Sequence, residues 1–484
     1  MNQVHYFMDN PHEVQAKVLK ELMTKGQNTV YGKLHGMSAS HSYHQFSQSL
    51  PVVNYDRLKP FIERVMRGEQ NVLWSSKISW FAKSSGTASG KSKFIPVSME
   101  TLDECHYKAG KDLVGIYCHN HPDTGFFTGK GLVLGGSHEP VPNNNDAKLG
   151  DVSAVMLENL PLIARIFRAP NNNIAVMGEW EKKLDIMAET TTAQNMTNMA
   201  GVPSWTMVLL KKILERTGKN KICDVWPNLE LYIHGGVNFE PYRSEFENII
   251  GKDINFLQAY NASEGHFGIQ YERNSDDMLL MMDYGIFFEF IPWGEINKED
   301  PKVIPLSDVE VGKHYAILIT TNSGLWRYKI GDTVEFTSVH PYKIKVSGRT
   351  KSFINAFGEE LIVDNAEKAI SAACRETGAR IKDYTAGPVY QSVEDKGSHE
   401  WAIEFEREPQ CLQTFTELLD KNLQMVNSDY EAKRYKSLAL ELPKVHSVPR
   451  DTFHNWMRNK RKLSAQIKVP RLSNDRRILN EILQ

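Results

Sequence analysis

The sequence is poor in cysteine, and its cysteines form no working pattern. Five occur, Cys105, Cys118, Cys223, Cys374 and Cys411, and no two stand as C-x-x-C. That argues against a disulfide framework and a cysteine zinc site, and leaves inert, reduced thiols of a cytoplasmic protein. No apolar run reaches the ~18 residues of a transmembrane helix, so no membrane partner is expected. The start, MNQVHYFMDNPHEVQ, has no basic segment leading into an apolar one, so no secretory signal is expected. Neither sign of charge dominates. Lys and Arg number 57, Asp and Glu 59, and the net charge is −2. A chain whose main business is holding nucleic acid carries more positive charge. His106, His119, His121, His138, His234, His266 and His399 form no H-x-x-x-H or H-E-x-x-H pattern, so no metal is assigned to them. There is no G-x-S-x-G turn of a serine hydrolase. The glycine-rich GKGLVLGGS lacks dinucleotide-fingerprint spacing. No internal repeat or low-complexity tract appears.

What is present is an ordinary globular composition, 41% hydrophobic and 24% charged over 484 residues, long enough for two to four domains. Near the start Asn10 can cap a helix, and Pro11 suits its first position. Val14, Val18, Leu19 and Leu22 then make an apolar stripe that Gly26 can end. A second amphipathic helix is predicted from about Tyr55. ISWFAKSSGTASGKSKFIPVS reads as strand, Gly/Ser loop, strand. Helical patterns dominate from Met99 to Lys221, broken at GKGLVLGGSHEPVPNNNDAKLGDVS by a loop with one short strand. LELYIHGGVNFEPY, INFLQAYNASEGHFGIQ and HYAILITTNSGLWRYKIGDTVEFTS read as strands, and MLLMMDYGIFFEFIP as a buried strand pair. Mixed strands and helices imply an α/β body. A boundary is predicted in the Gly-Arg-Thr-Lys stretch at 347–351. It separates a large domain, 1–347, from a small one, 348–484, in which short strands and helices alternate.

The loop at 84–93 tests its own first impression. A Walker phosphate loop needs four residues between its first Gly and Gly-Lys-Ser/Thr, and it runs into a helix. Here Gly86 is followed by only Thr87, Ala88 and Ser89 before Gly90, Lys91 and Ser92, and the loop runs into a strand. It is not a Walker loop. Read alone it is a phosphate cradle or a solvated Ser/Gly turn. The basic stretch RNKRKLSAQIKVPRLSNDRR, with eight Lys or Arg against one Asp, is by itself a solvated face or a polyanion patch.

The order of motifs is more specific than any one of them. SSGTASGKSK is followed by HGGVNFEPY, YNASE, WRYKIGD, GRTKSFINAFGEEL and, near the end, QIKVPR. This succession resembles the adenylate-forming superfamily of acyl-CoA synthetases, luciferases and peptide-synthetase adenylation domains. Within it, the chain looks like the auxin-responsive Gretchen Hagen family of acyl-acid amido synthetases, over essentially its whole length. The resemblance implies an α/β fold with a large, multi-sheet adenylating domain and a small, mobile α+β C-terminal domain. It implies a monomeric ligase that binds ATP and Mg²⁺, adenylates a carboxylic acid with release of pyrophosphate, and passes the acyl group to an amino acid. A CoA ligase using the same adenylate is the alternative, and a non-catalytic ATP-binding switch is another.

The resemblance also implies site residues. Ser84, Ser85, Thr87 and Ser89, with the backbone at Gly86 and Gly90, would hold the β- and γ-phosphates. Lys93 falls at the family lysine, and Lys91 is an additional cation. Gly235 and Gly236 would close over the adenine, with Tyr260 against the ring and Ser263 beside it. Glu264 would bind Mg²⁺. Asp332 would accept from the ribose hydroxyls with Arg349 nearby, Lys351 would be the hinge, and Lys468 the catalytic ammonium. The acid pocket is expected among the helical stretch from Met99 to Leu210 and beside GVPSW (201–205), Phe239 and Tyr260. DYTAGP (383–388) and HEW (399–401) are candidates for holding the amine.

Overall fold

The computed structural model describes residues 1–84, 93–142, 144–236, 239–273, 275–296, 298, 300–349, 353–354, 359, 361–389, 397–427, 430–431, 434, 440–459, 469–473 and 476–484. They divide into two units. One holds residues 1–84, 93–330 and 334–346, the other 331–333 and 347 onward.

In the first unit the helix Pro11–Gly26 starts on Pro11, whose missing N–H costs nothing at that position. Its buried face includes Val14, Val18, Leu19 and Leu22. It also includes Gln15, whose amide donates to Met282 O and Ile286 O and accepts from Phe288 N. A buried amide with its groups satisfied ties the helix to the sheet. Gly26 does not stop the helix in a left-handed turn. It is the last helical residue, and a Cβ there would lie 2.2 Å from the Trp326 ring. A further helix, Asn2–Asp9, precedes it and was not predicted from its polar sequence. The helix Tyr55–Met66 forms as predicted, capped by the Asn54 side chain on Arg57 N–H.

Two sheets organise this unit. A four-stranded sheet runs Lys93–Ser98, Ile78–Ser84, Asn144–Gly150, His138–Val141. The other has twelve strands. Its end nearest the site orders as Asn255–Ala262, Leu231–His234, Met196–Gly201, Lys130–Val133 and Arg168–Ala169, all mutually parallel. Parallel strands aligned this way present their carboxyl ends along one edge, where α/β proteins place ligands.

Three expectations are corrected here. The 130–150 break contains three strands, because Gly135–Gly136 and Pro142 divide it. Met196–Gly201 is a strand within the stretch read as helical. Met278–Leu280 and Ile286–Pro292 are both buried strands, yet they do not pair with each other. The first pairs with Gly265–Ile269 and Tyr342–Arg349, the second with His314–Thr321 and Ile304–Pro305.

The second unit is α+β. Arg380–Val389 and Ser398–Arg407 pair antiparallel, and Lys444–Val448 joins in parallel. Helices Val363–Thr377 and Leu412–Val426 pack together, with Asn365 Nδ2 donating to Val426 O at 3.1 Å. The core holds Trp401, Ile403, Phe415, Leu419 and Tyr430.

Candidate active site

The hairpin that carries the Ser/Gly loop is closed by the pair Ser84 and Lys93. Ala82 pairs in parallel with Gly150, so the strands Ile78–Ser84 and Asn144–Gly150 end near one another. Lys93 sits at the hairpin root with its ammonium 6.0 Å from the centre of the Tyr55 ring, while Phe94 N–H donates to Tyr55 Oη at 2.9 Å. Ser85, Gly86, Thr87, Ser89, Gly90 and Lys91 lie outside the described residues, as do Lys351 and Lys468.

Asp151 follows Gly150 and caps the helix Val152–Glu158 by position. Its buried carboxylate accepts from Ser137 N–H. Burial raises its pKa, and the nearby ammonium groups of Lys83 and Lys183 pull it back. Lys183 is fully buried and donates to Gly135 O and Gly136 O. Burial pushes its pKa down to about 8, against the pull of Asp151. Lys183 on the two glycine carbonyls and Asp151 on Ser137 N–H together fix the turn at the carboxyl end of Lys130–Val133. Reading the sequence did not single out either residue. A lysine on a helix pattern reads as solvated unless its burial is known.

Gly235 and Gly236 follow the strand Leu231–His234. A Cβ on Gly235 would lie 2.3 Å from Ala259 O, and Gly236 has φ +80°, so the turn needs both glycines and packs onto the strand that carries Tyr260. Tyr260 is buried edge-on against Phe267, centroids 4.9 Å apart. Ser263 and Glu264 occupy the tight turn between Asn255–Ala262 and Gly265–Ile269, both largely buried. The structure therefore brings Gly235, Gly236, Tyr260, Ser263 and Glu264 onto neighbouring strand ends. Phe239 is corrected. It is 3% exposed, stacked on His234 at 4.0 Å, and belongs to the core, not to an open acid pocket.

In the second unit, Asp332 is buried in the strand Tyr328–Val339, and Arg349 ends the strand Tyr342–Arg349. Ser347 Oγ donates to Thr333 Oγ1 at 3.1 Å, which sets these two stretches side by side. His399 and Trp401 of HEW are fully buried, and the His399 ring is paired with Glu359 at 2.8 Å. They support the core and are not placed to hold an amine.

Among the described residues, no three His, Cys, Asp or Glu side chains gather as a metal cluster. A magnesium site needs none, because Mg²⁺ keeps several waters and takes one or two carboxylates plus substrate phosphates. Glu264, a carboxylate in a turn at the strand ends, fits that requirement. No helix among the described residues is long and apolar enough to cross a membrane.

Beside Glu264 the chain stores buried neutral imidazoles. Among the described residues, no polar partner reaches either ring nitrogen of His106 or Nε2 of His266, and His266 N–H donates to Cys105 Sγ at 3.2 Å. Burial drives the Cys105 thiol up to about 12, which makes it an inert acceptor. Burial likewise lowers the imidazoles from 6.5 to about 4 for His106 and about 3 for His266. Below pH 6.5 the unfolded chain takes up protons that the folded chain refuses. Stability is therefore complete above that pH and falls as acid is added. His106 alone removes about 3 kcal/mol across its window. The His106→Gln variant is expected to lose less stability than the parent between pH 7 and pH 4.5 in urea unfolding. Equal losses would show that His106 does not carry this pH dependence.

A solved 2-hydroxyisobutyryl-CoA ligase in the postadenylation state, with 2-HIB-AMP, superposes with a TM-score of 0.57 over 92% of this chain and 91% of that one, at 13% identity. A solved GH3.15 acyl acid amido synthetase in complex with 2,4-DB superposes with a TM-score of 0.82 over 100% and 95%, at 17% identity. Both likenesses are of fold. The model of the GH3 family N-terminal domain matches residues 1–254, that of the central domain 279–349 and that of the C-terminal domain 364–477. The chain belongs to the GH3 family. Its relatives include the indole-3-acetic acid-amido synthetase GH3.3 of Arabidopsis thaliana, 25% identical over 77% of this chain and 73% of that protein. The jasmonoyl–L-amino acid synthetase JAR6 of Nicotiana attenuata is 23% identical over 91% and 87%. The expected family and fold are borne out.

Proposed function

We propose that this chain is an acyl acid amido synthetase, which joins a carboxylic acid to the amine of an amino acid through an acyl-adenylate. Membership of the GH3 family, whose three domain models match most of the chain, carries this reading. A carboxylate is a poor acylating agent because its leaving group would be oxide. Attack on the α-phosphate of ATP exchanges that for AMP, a good leaving group, and releases pyrophosphate. An incoming amine then displaces AMP.

Residues 84–93 hold the β- and γ-phosphates, with Lys93 adding charge. Gly235 and Gly236 let the backbone approach the adenine, and Tyr260 and Ser263 line it. Glu264 holds Mg²⁺, which when bound offsets charge on the phosphates. Asp332 accepts from both ribose hydroxyls, which a carboxylate can do and an amide half does. Arg349 adds a donor, and Lys351 is the hinge of a small domain, 348–484, that moves between the half-reactions. Lys468 supplies the ammonium of the adenylation step. The enzyme acts as a monomer in the cytoplasm, with neither nucleic acid nor membrane as partner.

The acceptor is the point to test. With ATP, Mg²⁺ and a pool of aromatic and aliphatic carboxylic acids, amino acids are expected to raise AMP release and yield amides by mass spectrometry. Stimulation by CoA, with thioesters and no amides, would assign the chain to the CoA ligases instead.

A further inference from the structure

Residues 469–473, which follow Lys468 in QIKVPR, are bound along the strand Arg380–Val389. Ala386 and Leu472 form a parallel bridge, with Ala386 N–H donating to Arg471 O at 2.9 Å and Ser473 N–H to Ala386 O at 3.1 Å. Thr385 Oγ1 donates to Pro470 O at 2.7 Å. Val469 and Leu472 are buried. The Arg471 guanidinium donates to the Asp383 carboxylate and to Tyr384 O, and lies 4.7 Å from the centre of the Tyr384 ring. Its Nε is 3.8 Å from Glu367 Oε1, which also accepts from Tyr384 Oη at 2.9 Å. DYTAGP is thus committed to holding the chain after QIKV and is not free to hold an amine.

We propose that Arg471, Asp383, Tyr384 and Thr385 are positioning residues for adenylation, fixing the chain three residues or fewer from Lys468. The proposal rests on the reading of Lys468 as the adenylation lysine. A planar guanidinium that pairs with a carboxylate and stacks on a ring fixes direction as well as distance, which a lysine cannot do. A cation displaced by about 1 Å in a transition state can cost about 10²-fold in rate. Glu367 and Asp383 both have pKa values raised by burial and pulled back by Arg471. Removing the guanidinium therefore unsettles both carboxyls.

The test separates the half-reactions, using the acid from the pool that gives the wild-type chain its fastest exchange. Arg471→Met is expected to lower acid-dependent ATP–pyrophosphate exchange about 10²-fold. KM for ATP should stay within about threefold, and transfer from a prepared acyl-adenylate to the amine should be retained. Thr385→Val, a milder change, is expected to lower exchange a few-fold with transfer intact, and Arg471→Lys to restore part of the loss. Normal exchange in Arg471→Met, or equal loss of both half-reactions, would overturn the positioning role. Exchange retained by Lys468→Ala, or absent from the wild-type chain with every acid, would overturn the reading beneath it and the proposal too.

Discussion

Lys468→Ala is expected to lose acid-dependent ATP–pyrophosphate exchange by about 10²–10³-fold, the cost of removing one preorganised charge from a developing anion. Negative charge gathers on the α-phosphate oxygens as the acid carboxylate attacks. An ammonium aimed there is worth more in the transition state than in the ground state. In the proposed site ATP binding would be shared among the phosphate loop, the glycine turn and Asp332, so KM for ATP should change little. Lys93→Ala makes the informative comparison. A cation that holds the phosphates in the ground state raises KM when it is lost, whereas one that acts only in the transition state lowers kcat. Unimpaired exchange in Lys468→Ala, with a kcat loss in Lys93→Ala, would exchange the two roles.

Glu289→Ala is expected to cost about 3–5 kcal/mol of stability, because it leaves a guanidinium buried without its partner. Arg327 and Glu289 are 4% and 1% exposed. Arg327 Nε and Nη2 donate to the two carboxylate oxygens at 3.0 and 2.9 Å, and Nη1 donates to Ser47 O and Leu50 O, each at 2.7 Å. Tyr43 Oη completes the carboxylate at 3.1 Å. The pair joins the helix Tyr43–Ser49 to the strand Ile286–Pro292, and holds Arg327 at φ 44°, a conformation few side chains adopt. The loss is a large share of the ~5–15 kcal/mol that separates folded from unfolded domains. Urea unfolding should show a lowered midpoint, and Glu289→Leu with Arg327→Met should recover much of it. A loss under about 1 kcal/mol for Glu289→Ala would mean that water reaches the guanidinium and the site is not dry.

Much of this architecture is legible where local signals agree. The helix Tyr55–Met66 has its cap and its apolar stripe. The hairpin at Ile78–Ser84 and Lys93–Ser98 has branched and aromatic residues on both sides of a Gly/Ser loop. Met196–Gly201 was hidden because MTNMAG offers Met, Thr and Asn where β-propensity looks for Val, Ile and Phe. It is a strand because parallel neighbours cover it, a tertiary cause. In the candidate site, the order of motifs named residues along the strand ends. It could not show which residues support them. Lys183 and Asp151 are far apart in sequence and look solvated, and Arg471 meets Asp383 across a gap of 88 residues. Phe239 was misjudged for the converse reason. An aromatic beside a Gly-Gly turn looks like a pocket wall until His234 is found stacked on it.

The most direct test of the whole account is the fate of ATP. The protein, ATP, Mg²⁺, pooled carboxylic acids and pooled amino acids would be incubated together and the nucleotides resolved, with amides sought by mass. AMP and pyrophosphate that depend on an acid are expected, with an amide as the co-product. ADP and phosphate would instead mean that the Ser/Gly loop serves transfer of the γ-phosphoryl group, and adenylation would be contradicted.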